Sequence, residues 1–420
     1  MSPRRVKLTV YVLLLVYILN FLDRQIVGIL AQSISKDLHL TDTQIGLMTG
    51  LAFALFYTSL GIPIARLADR PGTSRVKVIA VCLTAWSAMT ALCGAAGSFA
   101  QLFFARVGVG IGEAGGTPPA HSLIAELSPP EKRASALSLY QLGPPLGGLI
   151  AMVMGGYLAD TIGWRWAFVV VGAPGVLLAL VVFLFLRDPR SERPVPEAAK
   201  AAQTTFVEAF AHIWSSRANR LILASVAFAA TANYGMLIWG PIFLQRSFGI
   251  SASQTGLWFG LANGIGSALG VWYGGQLGDR MRARGKQHLM TAPALSLALS
   301  CPLLVAGLLV PDWHIAVLLF FPAIGLLWLH VGPTYSAVQG LVPSSSRATA
   351  SASILLMQNL FGLGLGSPLI GKLSDHFKPD VGADSVRCVL AVLVGVVTLA
   401  AAVLQWRSRK YLPVELDRAG

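Results

Sequence analysis

The sequence predicts an all-α integral membrane protein with twelve transmembrane helices in two pseudo-symmetric six-helix bundles and both termini in the cytoplasm. Three observations lead there. Of 420 residues, 55% are hydrophobic and only 12% are charged, about half the charged share of a soluble globular chain. A chain so composed cannot cover itself in water. Apolar runs of roughly 20 residues, the length that crosses a bilayer core as a helix, recur twelve times. Lysines and arginines gather on alternate connections between these runs, as they do in cytoplasmic loops.

The runs lie near 8–29, 42–67, 77–97, 100–126, 132–159, 165–187, 219–246, 252–278, 288–310, 314–341, 347–373 and 386–406. Their connections are short except for residues 189–218, which hold Pro189, Pro194 and Pro196 with most of the central charges. That segment reads as a cytoplasmic linker between an N-terminal bundle, 1–188, and a C-terminal bundle, 219–420. With the N-terminus inside, the inner segments carry Arg4, Arg5, Lys7, Arg66, Arg70, Arg75, Lys77, Lys132, Arg133, Arg280, Arg282, Arg284, Lys286 and the tail arginines. The outer segments carry Lys36, Arg165, Arg246, Lys372, Lys378 and Arg387. The formal charge of +13 is therefore a topology signal, reinforced by anionic lipid headgroups, rather than a nucleic-acid footprint. The expected setting is a bacterial inner membrane, and the expected state is a monomer.

Residues 1–33 resemble a signal peptide, with a basic start, an apolar core and the small-residue stretch Ala31-Gln32-Ser33. Asp23 and Arg24 interrupt the uncharged approach that cleavage needs, so an uncleaved first helix is expected. Cys82, Cys93, Cys301 and Cys388 stand singly, which suggests neither a metal site nor a disulfide framework. Gly110, Gly112 and Gly115 spell the dinucleotide fingerprint G-x-G-x-x-G, yet no strand precedes them and an acid, Glu113, lies among them. Gly366, Gly371 and Lys372 resemble a phosphate loop, but Leu373 stands where it needs Ser or Thr. No soluble domain large enough for catalysis is left over, so no enzyme activity, cofactor or metal is expected.

The halves read as a repeat. Asp69-Arg70 ends the second run and Asp279-Arg280 the eighth, half a chain apart, as expected of parallel repeats in a transporter. These residues carry a family resemblance. The signature G-x-x-x-D-R-x-G-x-x-R is matched by Asp69, Arg70, Gly72 and Arg75, with Ala65 in place of its first glycine. The G-P-x-x-G-G signature of antiporters is matched by Gly143, Pro144, Gly147 and Gly148. The chain thus resembles a major facilitator superfamily transporter. Asn20-Phe-Leu-Asp23-Arg24 and the stretch from Arg106 to Glu113 resemble the spinster group of lipid and amphiphile exporters within it. The resemblance implies alternating access, and a substrate that is amphipathic or anionic.

A charge in mid-membrane is a functional candidate by default, because it is costly unless paired or wet. Asp23, Arg24, Arg106 and Glu113 are the acids and bases that fall well inside a run. At about 1.5 Å per residue, Asp23 lies roughly 22 Å above the cytoplasmic end of its run. Arg106 lies roughly 9 Å below the outer end of its own, in a core of about 30 Å. An Asp23–Arg106 ion pair is therefore possible, with Glu113 two turns deeper than Arg106 on the same face. The expected mechanism is proton-coupled alternating access, with no driving force beyond the proton gradient. Glu113 is the acid that cycles, a nearby arginine keeps Asp23 mostly ionised, and Arg24 and Arg106 bind an anionic head by bidentate contact. The plainer alternative is that these pairs merely neutralise each other and lock the first and fourth helices.

Asp69, at the cytoplasmic end of the second run, is expected to meet the positive N-terminus of the eleventh helix near Ser345 and Ser346, latching that side. Arg70, Arg75 and Lys77 serve the same gate or act only as topology anchors. Glycines at four-residue spacing let helices approach closely, in run 8 (Gly256, Gly260, Gly264, then Gly266, Gly270, Gly274, Gly278), run 5 (Gly143, Gly147), run 11 (Gly362, Gly366) and run 2 (Gly46, Gly50). In the resembled fold these helices line the contact between halves. Asn20, Tyr57, Asn233, Tyr234 and His330 are candidate substrate ligands. The favoured function is export of an anionic amphiphile against protons. Proton-coupled import of small organic anions and a non-transporting lipid receptor stay open.

Overall fold

A computed structural model describes residues 3–69, 73–129, 136–137, 139–189, 213–342 and 347–419. Arg70, Gly72, Lys132, Arg133, Pro194, Pro196, Ser345 and Ser346 lie outside them, as does the side chain of Asp69. The linker expected at 189–218 also falls almost wholly outside. Among the described residues the chain is helical, with no strand.

The chain divides into two compact units, Met1–Lys200 with Ser251–Gly260, and Ala201–Ile250 with Leu261–Gly420. The first holds α1 (Pro3–Leu38), α2 (Asp42–Gly46), a π-helical turn Leu47–Leu51, α3 (Ala52–Asp69), α4 (Arg75–Cys93), α5 (Phe99–Glu113), α6 (Thr117–Leu127), α7 (Gly143–Thr161) and α8 (Gly163–Phe185). Local chemistry sets several starts. Thr41 and Gln44 form a capping box at α2, and the hydroxyls of Ser74 and Ser98 accept N–H groups of the first turns of α4 and α5. Gly163, at φ +81°, makes the tight turn from α7 into α8, a conformation that β-carbon-bearing residues avoid. Within this unit α1 lies along α7, α4 between α5 and α8, and α3 along α5. The core gathers Leu13, Ile79, Leu83, Trp86, Leu123 and Tyr140.

The second unit holds α9 (Arg217–Phe248), most of α10 (Ala252–Arg284), α11 (Thr291–Leu309), α12 (Trp313–Trp328), α13 (Val331–Gly340), α14 (Arg347–Met357), a π-helical stretch Gln358–Gly366, α15 (Ser367–Val381), α16 (Ser385–Ser408) and α17 (Leu412–Ala419). α16 packs between α9 and α11, and α11 on α12. The tail helix α17 is pinned by Glu415, whose carboxylate accepts the N–H groups of Arg217 and Ala218 at the start of α9.

Among the described residues, seven helical stretches are long and apolar enough to cross a bilayer, one of which, Ala350–Ser408, takes in the last two predicted runs. The other predicted runs are helical too, but broken or dilute. Run 2 contains the π turn, run 4 breaks at Ala114–Gly116, only part of run 5 is described, and run 8 is glycine-rich. Large apolar side chains such as Val81, Phe104, Leu177, Phe185, Leu318 and Val392 are exposed, as on a lipid-facing surface.

The expected boundary differs in one place. Ser251–Gly260, assigned by sequence to the C-terminal bundle, groups with the first unit. Gly156 meets the Ala252 carbonyl and Gly256 the Met152 carbonyl so closely that neither position has room for a β-carbon. Gly270 and Gly274 pack on backbone of Gly325 and Leu329, and Gly278 on Pro333, so this ladder serves packing inside the second unit. Gly362 likewise meets Ala230 and Tyr234 within that unit.

Candidate functional site

α5 descends to Glu113 and stops there; α6 restarts at Thr117 with prolines in its first turn, where a missing N–H is harmless. The glycines around Glu113 are close-approach positions. A β-carbon on Gly110 would lie 3.0 Å from the Phe53 carbonyl oxygen, one on Gly112 would lie 2.7 Å from the Trp86 nitrogen, and one on Gly115 would collide with Cys82 Sγ. Backbones of α3 and α4 thus close around a carboxylate that is fully buried.

The partner of that carboxylate is Arg24. Its Nη2 and Nε donate to Glu113 Oε2 at 2.8 and 3.0 Å, and only 10% of the Arg24 side chain is exposed. Glu113 Oε1 has no hydrogen-bond partner. The guanidinium lies over three rings, Phe21 at 4.6 Å, Phe53 at 4.4 Å and Tyr57 at 4.9 Å, each face attracting a cation. Asn20, one turn earlier, accepts a longer bond from Arg24 Nη2 at 3.4 Å. Helical side chains lean toward their own N-terminus, so Arg24 reaches down from α1 to an acid deeper than its own Cα.

The Asp23–Arg106 ion pair does not form. Arg106 is fully buried and donates to the backbone carbonyls of Asp23 at 3.1 Å and Arg24 at 3.3 Å. It therefore fixes α1 against α5. Rise along the axis sets height, but one residue turns a helix by about 100°. Arg24 faces α3 and α5, while Asp23 faces Trp86 and Thr90 of α4. The Asp23 carboxylate, Trp86 Nε1 and Thr90 Oγ1 lie buried together without a short hydrogen bond, so a second buried polar cluster lies beside the ion pair.

Of the expected ligands, Asn20, Asp23, Arg24, Tyr57, Arg106 and Glu113 gather in the first unit. Asn233, Tyr234 and His330 belong to the second. Tyr234 packs on Gly362, and the buried His330 bonds through Nδ1 to the Leu327 carbonyl at 2.7 Å. In the antiporter signature, a β-carbon on Gly143 would lie 2.6 Å from the Tyr17 ring, and Gly147 lies against the Ile18 carbonyl and Phe21, while Gly148 faces open space. Pro144 occupies the first turn of α7. This motif seats the aromatic face of α1 from which Arg24 projects.

Arg75 stands at the start of α4. It is fully buried, with Nη2 and Nε on Asp188 at 2.5 and 3.0 Å, Nη2 on Glu126 at 2.7 Å and Nη1 on Ser122 at 3.0 Å. α4, α6 and the end of α8 are thereby tied together. Asp279 and Arg280 are exposed.

The family model of the Major Facilitator Superfamily matches residues 13–367. The chain belongs to that superfamily. It is a multi-pass membrane transporter with spinster-like similarity in sequence and structure. An MFS-type efflux pump of Mycolicibacterium smegmatis is 36% identical over 405 residues, 96% of this chain and 93% of that one. Protein spinster homolog 1 of Homo sapiens is 28% identical over 408 residues, covering 90% of this chain and 75% of its own. A solved bacterial homolog of the human lysosomal transporter spinster, in an inward-facing and unoccupied conformation, superposes with a TM-score of 0.90 at 31% identity, over 99% of both chains.

Proposed function

We propose that the protein exports an amphiphile with an anionic head across a bacterial inner membrane, in exchange for protons, by alternating access, acting as a monomer with both termini cytoplasmic. The observation that supports this most is the buried Arg24–Glu113 pair within its aromatic surround. Removing one member of such a pair strands the other in a medium that penalises isolated charge by several kcal/mol. Anything that binds Arg24 therefore alters what Glu113 binds.

The sign of that coupling depends on the substrate. A bare anion on Arg24 strips Glu113 of its partner and so favours proton uptake, which gives cotransport. A head that also presents a hydroxyl or other donor to Glu113, whose Oε1 is unpartnered, competes with the proton and gives exchange. Lysolipid-like heads with a phosphate and a hydroxyl fit the second case, and small carboxylates the first. The geometry thus supports proton-coupled import of small organic anions as the second reading.

Proteoliposomes under an imposed pH gradient test the choice. Efflux of a lysophospholipid that dissipates the gradient supports exchange. Uptake of a small carboxylate that follows protons inward, with no lysolipid flux, replaces it with the second reading.

A further inference from the structure

We propose that the cleft between the start of α4 and the end of α8 binds the phosphodiester of an anionic membrane lipid, clamped by Lys77 and Arg187. The cleft has a volume of about 210 Å³ and is lined by Ser74, Val76, Lys77, Phe183, Leu186, Arg187 and Asp188. It lies where the apolar stretches of α4 and α8 end. α8 presents Leu180, Phe183, Leu184 and Phe185 outward as exposed apolar side chains, and its polar residues begin at Arg187. On α4, Arg75 and Lys77 stand just before the apolar stretch. A ligand here meets hydrocarbon on one side and water on the other.

The charges favour an anion. Asp188, the acid of the cleft, already accepts the Arg75 backbone N–H at 2.6 Å and two guanidinium bonds on its two oxygens. Arg75 is shared with Glu126 as well. That buried group of three is internally compensated and leaves Lys77 and Arg187 as the cations of the cleft. Both are exposed, and neither forms an ion pair among the described residues. Ser74 adds a hydroxyl. Phe183 and Leu186 form an apolar lip where the glycerol and first methylenes of a lipid would rest, a feature that a site for a free inorganic anion does not require. Basic clefts between helices on the cytoplasmic side suit anionic headgroups for this reason.

The test uses the full chain in nanodiscs of phosphatidylcholine carrying a minor fraction of phosphatidylglycerol, with retained lipid counted by native mass spectrometry. Lys77→Gln/Arg187→Gln is compared with wild type and with Arg407→Gln/Lys410→Gln, which removes two exposed basic residues elsewhere. A basic residue near the surface contributes about 1 kcal/mol, which at tenfold per 1.4 kcal/mol is about fivefold for one and about thirtyfold for two. Apparent affinity for phosphatidylglycerol should fall about thirtyfold in the cleft variant and stay unchanged in the control. If the double variant does not fold, Lys77→Gln alone should show the fivefold loss. Equal retention in the cleft variant, or an equal loss in the control, overturns the proposal. Inorganic phosphate that binds the cleft while no phosphatidylglycerol is retained makes it a free-anion site and also overturns it.

Discussion

Replacing Arg75 with alanine removes four hydrogen bonds at once, two of them on the buried carboxylate of Asp188, which keeps the Arg75 backbone N–H. Breaking a buried pair by deleting one partner costs about 3–5 kcal/mol, because the remaining charge stays buried. The Glu126 contact adds little, since about a quarter of that side chain is exposed and water screens it. With the first unit behaving as a body of about 200 residues, a loss near 4 kcal/mol lowers an apparent melting midpoint by about 8–16 °C. The assay is thermal unfolding in detergent of wild type, Arg75→Ala, Asp188→Leu and the double variant Arg75→Met/Asp188→Leu. Replacing both charges with apolar groups of similar size removes the stranded charge and should recover most of the loss. A single variant as stable as wild type, or a double variant no better than the singles, would refute the claim that compensation between these groups holds α4 to α8.

The close approaches around Glu113 predict a sharp contrast between glycines. Gly112→Ala should destabilise strongly, since the added carbon meets Trp86 backbone, whereas Gly148→Ala, which meets nothing within 4 Å, should be tolerated in both melting midpoint and transport. Arg106→Lys should shift transport more than expression, because a single ammonium cannot reproduce the fork that holds two α1 carbonyls; a wild-type transport rate in that variant contradicts the positioning role. Asp312 caps α12 by accepting the N–H groups of Ile315 and His314, and these bonds hold its carboxyl below the usual carboxylate value. Its contribution is therefore present above the unfolded value of about 4 and is lost as pH falls through the lower folded value. Acid unfolding curves of wild type and Asp312→Ala should converge at low pH and separate near neutrality.

Much of this was legible from the sequence, for identifiable reasons. Apolar run length located the long apolar helices among the described residues, because bilayer thickness sets that length. Glu113 and Arg24 stood out because a charge inside an apolar run is rare. The pairing of charges was not legible. Rise along the axis gave depth, but rotation about it decided that Arg24 rather than Asp23 faces α5. The aromatic surround was hidden because Phe21 and Phe53 are ordinary residues in an apolar run. The Arg75 network joins residues 51 and 113 positions apart, and no local pattern connects them. The break after Glu113 was signalled by Thr117, Pro118 and Pro119, although the apolar run continues through it. The lower glycine ladder of α10 looks from sequence the same as one between halves, since spacing alone does not say which helix fills the groove.

The central claim is that the proton and the substrate act through one ion pair, Arg24–Glu113. Glu113→Gln keeps the shape and a hydrogen-bond acceptor for Arg24 but cannot ionise. Transport by this variant in proteoliposomes, measured across a series of imposed pH gradients, tests the claim most directly. Exchange of substrate down its own gradient that persists, with its dependence on the pH gradient abolished, is the predicted result. Full dependence on the pH gradient in Glu113→Gln contradicts it.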